Sequence, residues 1–359
     1  MRVTFIVPYP LDRAPGQRFR FEQWLRLLPA RAVDPEIRPL FNESTYDLLY
    51  RTGGVTHKAT AAVGAAIGRA VDSLRVKADL VWLYREAFPL GPPLLERLIE
   101  RRVPFVYDFD DAIFLGDTSA ANAAIRRLKA PGKIGRIVAQ AAITTVGNDF
   151  LAAYARRYSP RVRVIPTTID IDEYQPRQRR KGDLVRVGWS GSRTTSQHLR
   201  TIEGALRRML AELPIELTVI GDPDFSLPGA PNVRTQAWDP RTEIADISQF
   251  DIGLMPLPND DWSRGKCGLK ALQYMALEVP PIVSPVGVNT DIVTHEENGL
   301  LASTEDEWVS AVRTLVEEPD LRTRWGKNAR ATVADQYSGQ RWAPKFLETL
   351  QEAAASKPG

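Results

Sequence analysis

Short apolar segments alternate with amphipathic segments along most of the chain. In the first half, the apolar segments predict strands at Val3–Val7, Asp79–Tyr84, Pro104–Tyr107, Ile143–Val146 and Val162–Pro166. Helices are predicted between them at about 18–28, 61–76, 92–102, 120–141 and 149–158. Strands that alternate with helices in this way are typical of a parallel, doubly wound sheet.

The same alternation returns in the second half, with strands predicted at Leu184–Gly188, Glu216–Asp222, Phe250–Pro256 and Pro281–Gly287. Between the halves, residues 170–183 are polar and rich in charge, as an interdomain linker is. A chain of 359 residues is also too long for one ordinary core.

We therefore predict an α/β protein with two Rossmann-like doubly wound domains that face each other across a cleft. The predicted parts are a first domain at 1–172, a linker at 173–183, a second domain at 184–338 and a C-terminal helix at 339–359. We expect that helix to pack back on the first domain.

Composition narrows the class of protein. Hydrophobic residues make up 43% of the chain and charged residues 25%, as in globular proteins. The single cysteine, Cys267, excludes a disulfide framework and a cysteine-based zinc site, and it fits a reducing compartment. The apolar run at the N-terminus is too short for a signal peptide, so we expect a cytoplasmic protein.

The net charge is only +3, but basic residues cluster at 126–136 and 177–181. Two interpretations of the cluster at 126–136 remain open. It is either a solvated helix face or a peripheral contact with anionic lipid headgroups at the inner membrane face. A nucleic-acid partner is not predicted, because no reader motif or aromatic interleaving accompanies the charge.

Polar residues suited to a diphosphate follow the strands of the second half. Gly191, Ser192 and Arg193 occupy a strand-to-helix turn, where backbone amides and a guanidinium can meet a phosphate. Any tight turn also uses glycine and serine, so both interpretations stand. The turn lacks the third glycine of the dinucleotide fingerprint.

Lys266 and Lys270 are four residues apart at the predicted start of a helix. Two cations there oppose the helix dipole unless an anion lies between them, which favours an anion site. Gln273, about a turn later, is suited to sugar hydroxyls. Trp238 is suited either to stacking on a base or to the core.

An acidic cluster follows a strand of the first half. Asp108, Asp110 and Asp111 repel one another, so they need a metal, an arginine partner or raised pKa values. Arg18 and Arg20 follow the first strand and are expected at the same sheet edge. A solvated acidic turn is the alternative.

Several segments together resemble the retaining glycosyltransferases of family 4, which have two Rossmann-like domains in the GT-B arrangement. The resemblance covers most of the chain. Val162–Asp170 is similar to the family's "kv.viPNGvD", Thr218–Asp222 to "l.ivGdG", and Gln273–Ala276 to "EAMA". Ser284–Val293 is similar to "S..GG..EiV", and Asn298–Leu300 to "nGlL".

The chain departs from the family pattern at several positions, and Thr167 and Thr168 stand in place of its Asn-Gly. The family's paired glutamates fall on Gly265 and Gln273, and its histidine in the first domain falls on Asp110. The resemblance then implies a divergent subfamily in which lysines neutralise the leaving diphosphate.

The resemblance implies a glycosyltransferase that moves a sugar from a nucleoside-diphosphate sugar to a saccharide or lipid-linked acceptor, with retention, without a metal and without a further cofactor. Asp110 is the expected catalytic residue, and Arg18, Arg20 and Asp108 the acceptor-side residues. The expected donor-binding residues are Gly191, Ser192, Arg193, Asp222, Trp238, Lys266, Lys270, Gln273 and Asn289.

Two alternatives remain open at this stage. The first is metal-dependent glycosyl or phosphoryl transfer at Asp108–Asp111, because the pattern is compatible with DxD motifs. The second is a non-catalytic protein that binds nucleotide sugars, which the two missing glutamates make conceivable.

Overall fold

The computed structural model describes residues 1–50, 55–116, 130, 132–180 and 182–356. The chain divides into two compact units. The first unit comprises Met1–Pro166 together with Trp342–Gly359, and the second unit comprises Thr167–Arg341.

The first unit contains a sheet of six described strands in the order β2-β1-β3-β4-β5-β6, and all its neighbours are parallel. The strands are β1 (Arg2–Val7), β2 (Asp34–Pro39), β3 (Leu80–Tyr84), β4 (Phe105–Phe109), β5 (Ile143–Val146) and β6 (Val162–Val164). Every residue of β3 and β4 is buried, as expected for central strands of a parallel sheet. The apolar pattern did not predict β2, because this partly exposed edge strand carries charged residues.

The second unit contains a second parallel sheet of six described strands, in the order β12-β11-β10-β7-β8-β9. The strands are β7 (Val185–Ser190), β8 (Ile215–Ile220), β9 (Val233–Gln236), β10 (Ile252–Met255), β11 (Pro281–Val283) and β12 (Leu300–Leu301). The predicted fold class, an α/β protein with two doubly wound parallel sheets, is confirmed.

Helices connect the strands of both sheets. In the first unit the described α-helices are Pro15–Gln17, Gln23–Leu27, Glu43–Tyr50, Val55–Arg75, Leu94–Glu100, Lys133–Gln140 and Asp149–Ala155; Arg18–Glu22 is π-helical and Ile113–Leu115 is a 3₁₀ turn. In the second unit they are Gln197–Arg200, Glu203–Glu212, Glu243–Ile247, Asp261–Arg264, Leu269–Ala276, Asn289–Ile292, Glu305–Glu317 and Pro319–Thr332, followed by π-helical Val333–Tyr337. The helix Gly339–Ala354 ends the described chain.

The last helix supplies core residues to the first unit. Phe346 and Leu350 are buried among side chains of β1 and β3, and the Phe346 ring stacks on Trp24 with centroids 5.2 Å apart. Arg163 of the β6 strand also donates to Thr349 at 3.0 Å. The helix therefore belongs to the core of the unit in which the chain begins.

The boundary between the units differs from the predicted linker. Residues from Thr167 onward belong to the second unit, and Tyr174, inside the predicted linker, is only 1% exposed. Its hydroxyl donates to the Glu243 carboxylate at 2.7 Å. The polar composition of this segment indicated a linker, although one of its residues, Tyr174, is buried in the second unit.

Among the described residues, no helix is both long and apolar enough to cross a membrane.

Candidate functional site

Each sheet has one point where the order of its strands reverses along the chain. In the first unit, β2 and β3 lie on opposite sides of β1, so the strand order reverses between β1 and β3. The carboxyl ends of these two parallel strands are adjacent. In the second unit the reversal falls between β7 and β10. Ligands of open parallel sheets bind outside the carboxyl ends of strands at such points, and most predicted site residues follow these strands.

The turn after β7 is tight and fixed by its neighbours. Tyr274 accepts a hydrogen bond from the Ser190 amide at 2.9 Å, and Ser192 donates its amide to Thr195 at 3.0 Å. Gly221 has a φ of +98°, and a side chain there would collide with the Gly191 carbonyl. The predicted strand, turn and helix are confirmed; phosphate binding by Gly191 and Ser192 stays a prediction.

The two lysines lie against aromatic rings. The Lys270 Nζ is 5.5 Å from the centroid of the Trp189 ring, and the Lys266 Nζ is 5.2 Å from that of Trp262. The helix begins at Leu269, so Lys266 lies in the preceding turn rather than on the helix itself. Trp189 belongs to β7, so Lys270 lies at a strand that borders the reversal point of the second sheet.

His198 is a neighbour of this lysine pair that the sequence analysis did not select. Burial, followed by the charges of Lys270 and Lys266, lowers the pKa of His198 to about 4, against the opposing effect of Asp260. The imidazole is therefore neutral at pH 7. His198 follows the Gly191–Ser192 turn by six residues, and the charges of both lysines act on it.

Arg193 and Asp222 each contact a neighbouring side chain. Arg193 pairs with Asp224 at 2.7 Å, and both side chains are largely exposed. Asp222 is 8% exposed and accepts a hydrogen bond of 2.6 Å from the Ser196 hydroxyl. Asp222 thus ties the turn after β8 to the start of a helix. Donor binding by Arg193 and Asp222 stays a prediction.

Gln273 and Asn289 are buried, at 3% and 1% exposure. The Gln273 amide nitrogen donates to the Tyr174 hydroxyl at 3.0 Å, and that of Asn289 donates to the Ser284 carbonyl at 2.9 Å. The Asn289 side-chain oxygen is buried without a hydrogen-bond partner in the described structure. Such an oxygen is costly to leave unpaired, which suits a position that meets a ligand.

Trp238 is tied down by its indole N–H. This group donates to the Glu243 carboxylate at 2.7 Å, and the side chain remains half-buried. The hydrogen bond fixes one edge of the ring, so the ring is held in one orientation. Stacking of this ring on a base stays a prediction.

In the first unit, Asp110 lies at the reversal point. The Tyr84 hydroxyl donates to it at 2.7 Å, and Arg85 Nη2 donates to it at 2.9 Å and to Asp111 at 2.7 Å. Arg85 has a φ of +61°, a strained value for a residue with a side chain. Strain of this kind is characteristic of functional sites, and the sequence analysis did not select Arg85 although it directly follows β3.

The electrostatics of this cluster keep Asp110 charged. Burial opposes the charged form, but Arg85, Arg20 and the hydrogen bonds from Tyr84 and Arg85 outweigh it and lower the pKa of Asp110. Burial, together with the neighbouring carboxylates, raises the pKa of Tyr84 well above its usual value. Tyr84 is therefore a neutral donor and Asp110 a carboxylate acceptor at neutral pH.

Gly16 lets the loop after β1 approach this cluster. A Cβ atom at Gly16 would lie 2.8 Å from both the Asp110 Oδ2 and the Tyr84 hydroxyl. Both distances are shorter than real Cβ contacts. A residue with a side chain would have to displace the carboxylate or the hydroxyl.

Arg20 and Asp108 form an internal ion pair, so Asp108 has the arginine partner that the acidic cluster was expected to need, and their acceptor-side role stays a prediction. Arg20 Nε donates to Asp108 at 3.0 Å, Nη2 donates to its second oxygen, and the side chains are 2% and 1% exposed. Thr145 also donates to Asp108, at 2.6 Å. Burial raises the pKa of Asp108 and Arg20 opposes that effect. Arg18 lies nearer the surface, 3.9 Å from Asp12.

The predicted basic helix is described only in part. Residues 117–129 and 131, with the basic positions 126–129, lie outside the described residues. Lys133 is 4% exposed, donates to the Phe88 carbonyl and pairs with Glu86 at 3.6 Å, so it cannot face a membrane. Arg136 is exposed.

Within the described part of the chain, no group of three or more His, Cys, Asp or Glu side chains could hold a metal ion. The carboxylates of the DxD-like pattern instead contact arginines, Asp108 through Arg20 and the other two through Arg85.

By sequence, residues 251–332 match the family of glycosyl transferases group 1. The chain is 39% identical over 100 residues to glycosyltransferase 1 domain-containing protein 1 of Xenopus tropicalis, covering 26% of this chain and 29% of that protein. It is 25% identical over 210 residues to a GDP-mannose-dependent alpha-(1-6)-phosphatidylinositol dimannoside mannosyltransferase of Mycobacterium tuberculosis, covering 54% and 52%. The matches thus span about half or less of these curated relatives.

By structure, the chain superimposes on solved chains over nearly their whole length. Sucrose-phosphate synthase from Thermosynechococcus elongatus gives a TM-score of 0.73 at 17% identity, covering 99% of this chain and 100% of that chain. The fold is GT-B. HepE of Anabaena, solved in complex with UDP and glucose, gives 0.67 at 14% identity, with 98% and 99% covered. Both units of this chain are thus accounted for by the GT-B fold.

Proposed function

We propose that this GT-B protein is a retaining glycosyltransferase that transfers a sugar from a nucleoside-diphosphate sugar. The observation that carries the proposal is the pair Lys266 and Lys270 at the reversal point of the second sheet. Both lie within the segment that matches glycosyl transferases group 1.

The second unit supplies the donor site in this proposal. The two ammonium groups neutralise the departing diphosphate, and charge placed there before the reaction stabilises the leaving group. The amides of the Gly191 turn meet a phosphate. Trp238 stacks on the base, Gln273 meets the ribose, and Asn289 uses its unpaired oxygen toward the donor sugar.

The first unit supplies Asp110 as the catalytic carboxylate. It lies at a sheet edge, keeps its charge, and its side chain is 11% exposed. A carboxylate held in this state accepts a hydrogen bond from a sugar hydroxyl and orients it. Tyr84 and Arg85 position Asp110, and their hydrogen bonds lower its pKa, so it stays ionised.

We propose further that transfer needs no divalent metal. The support is that arginines already contact all three carboxylates of the acidic cluster, while lysines provide the positive charge at the donor site. Activity in excess EDTA should equal activity in Mg²⁺ or Mn²⁺. Loss in EDTA that either metal restores would favour metal-dependent transfer at Asp108–Asp111.

The acceptor is proposed to be a saccharide or a lipid-linked saccharide. The support is the mycobacterial relative, a GDP-mannose-dependent phosphatidylinositol dimannoside mannosyltransferase. HepE was solved with UDP and glucose, so relatives differ in the base they bind. Peripheral membrane contact through 126–136 would rest on Arg136 and on residues outside the described part.

The test is transfer from a panel of UDP-, GDP-, ADP- and dTDP-sugars, with binding of each nucleoside diphosphate measured in parallel by calorimetry. Binding together with transfer supports the proposal. Binding without transfer or hydrolysis supports the alternative, a nucleotide-sugar-binding protein, which Gly265 and Gln273 favour because they stand where the family has glutamates.

A further inference from the structure

Four side chains of the second unit form a continuous chain of hydrogen bonds. The Trp238 indole N–H and the Tyr174 hydroxyl each donate to the Glu243 carboxylate at 2.7 Å, one to each oxygen. The Gln273 amide nitrogen donates to the Tyr174 oxygen at 3.0 Å. Glu243, Gln273 and Tyr174 are at most 3% exposed.

The direction of each hydrogen bond in this chain is fixed by Glu243. A tyrosine hydroxyl has one proton, and here that proton is directed at Glu243. The Tyr174 oxygen can therefore only accept from residue 273, which requires an N–H donor there. The amide of Gln273 meets this requirement and a carboxylate would not.

This direction also fixes which end of the Gln273 amide remains available. Its nitrogen faces Tyr174, so its carbonyl oxygen faces away. That oxygen has no hydrogen-bond partner among the described residues, and it is not fully enclosed. This oxygen can therefore accept a hydrogen bond from a hydroxyl group of a ligand.

The position of this oxygen matches one part of the proposed donor. Gln273 follows Lys270 by three residues on the same helix, and side chains at this separation are neighbours. If Lys270 binds the diphosphate, the next group of a nucleotide within reach of this helix face is the ribose. Its hydroxyls can donate to a carbonyl oxygen.

We propose that Glu243 and Tyr174 are positioning residues that orient the Gln273 carbonyl toward a ribose hydroxyl of the donor, and that they explain why an amide stands at position 273. This inference rests on the proposed function. Neither residue need touch the donor, because each acts through Gln273.

Reversing the direction of the chain of hydrogen bonds provides a sharp test. In Gln273→Glu, a carboxylate faces the lone pairs of Tyr174, whose proton is already directed at Glu243. In the double variant Gln273→Glu with Glu243→Gln, the new glutamine donates to Tyr174, and Tyr174 donates to the new glutamate. Every partner is then satisfied, and the second carboxylate oxygen faces the ribose.

The measurement is calorimetric binding of UDP, GDP and ADP and of their 2′-deoxy and 3′-deoxy analogues. Wild type should bind one nucleotide at least about tenfold more tightly than one of its deoxy analogues, as expected for a lost hydrogen bond with a buried partner. Tyr174→Phe should abolish this preference, and the matched control Tyr158→Phe, an exposed tyrosine of the first unit, should keep it. Gln273→Glu should weaken binding about tenfold, and the double variant should recover most of the loss.

The two proposals fail in different ways. Nucleotide binding with no ribose preference in wild type would overturn the positioning role while leaving the donor site intact. A double variant that binds more weakly than Gln273→Glu alone would also overturn it. Absence of binding of any nucleotide to folded wild type would overturn the proposed function itself. Thermal melting of each variant identifies those that are folded.

Discussion

The Tyr84 hydroxyl donates a hydrogen bond of 2.7 Å to Asp110, although the two residues lie 26 positions apart in the chain. They meet because β3 and β4 are parallel neighbours, so their carboxyl ends lie side by side at the same end of the sheet. Arg85, directly after β3, reaches the same carboxylate oxygen. Two side chains at the end of β3 thus hold the carboxylate that follows β4 in place.

Replacing Asp110 with Asn should lower turnover strongly. The substitution keeps the shape but removes the charge and places an N–H₂ group against Arg85. If Asp110 orients a reacting hydroxyl, turnover should fall by about 10²–10⁴-fold while nucleotide affinity stays nearly unchanged. Steady-state kinetics and calorimetry check both parts.

Asp111→Asn is the matched control, because Asp111 shares Arg85 but not Tyr84. A small effect is expected. If Asp111→Asn caused the large loss instead, the two residues would have exchanged roles. Losses below about tenfold in both variants would leave the acidic cluster without a catalytic role.

Gly16→Ala should also lower turnover, by at least about tenfold. The new Cβ would lie 2.8 Å from Asp110 and Tyr84, so one of them must move. Gly64→Ala provides the comparison, because nothing lies within 4 Å of a Cβ at that helical position. That variant should gain about 0.5–1 kcal/mol in free energy of unfolding and keep its activity. Equal activity of both variants would contradict this view of Gly16.

Lys266→Ala and Lys270→Ala should each weaken nucleoside-diphosphate binding by about tenfold or more, because charge-assisted hydrogen bonds contribute roughly 1.5–3 kcal/mol. The loss should shrink at high salt. Lys327→Ala, on an exposed face of the helix Pro319–Thr332, should have no effect. Unchanged affinity in both lysine variants, measured by calorimetry, would place the diphosphate elsewhere.

His198 should make stability depend on pH. Its pKa is about 4 in the folded protein and about 6.5 in an unfolded chain, so between these values the unfolded state binds more protons. The favourable contribution is complete above about pH 6.5 and is lost as the pH falls toward 4. The melting temperature of His198→Gln should fall less than that of wild type over this pH range. Parallel dependence of the two melting temperatures on pH would refute the lowered pKa of His198.

The strand and helix alternation predicted the central strands of both sheets, because strands such as β3 and β4 are buried on both faces and form apolar runs, but it did not predict β9 or β12. The edge strand β2 has no such signal, since Asp34, Glu36 and Arg38 lie within it. Tyr174 was assigned to the linker because its polar neighbours determined the local composition.

The candidate site was only partly predictable. The sheet-edge rule selected the acidic cluster and the lysines, but it cannot distinguish Asp108, which points at Arg20, from Asp110, which points at Arg85. Asp108 lies within β4, whereas Asp110 lies one residue past its end, where the alternation of side chains along the strand no longer applies. His198 is about 70 residues from the lysines in sequence, and only the folded sheet brings them together.

The position of the helix Gly339–Ala354 has a consequence for synthesis of the chain. Phe346 and Leu350 complete a core whose other members begin at Val3, so the first unit is discontinuous in sequence. On the ribosome, the amino-terminal sheet emerges early but must wait for nearly all of the second unit before its core can close. Chaperone dependence during translation should therefore concentrate on the part of the protein that is made first.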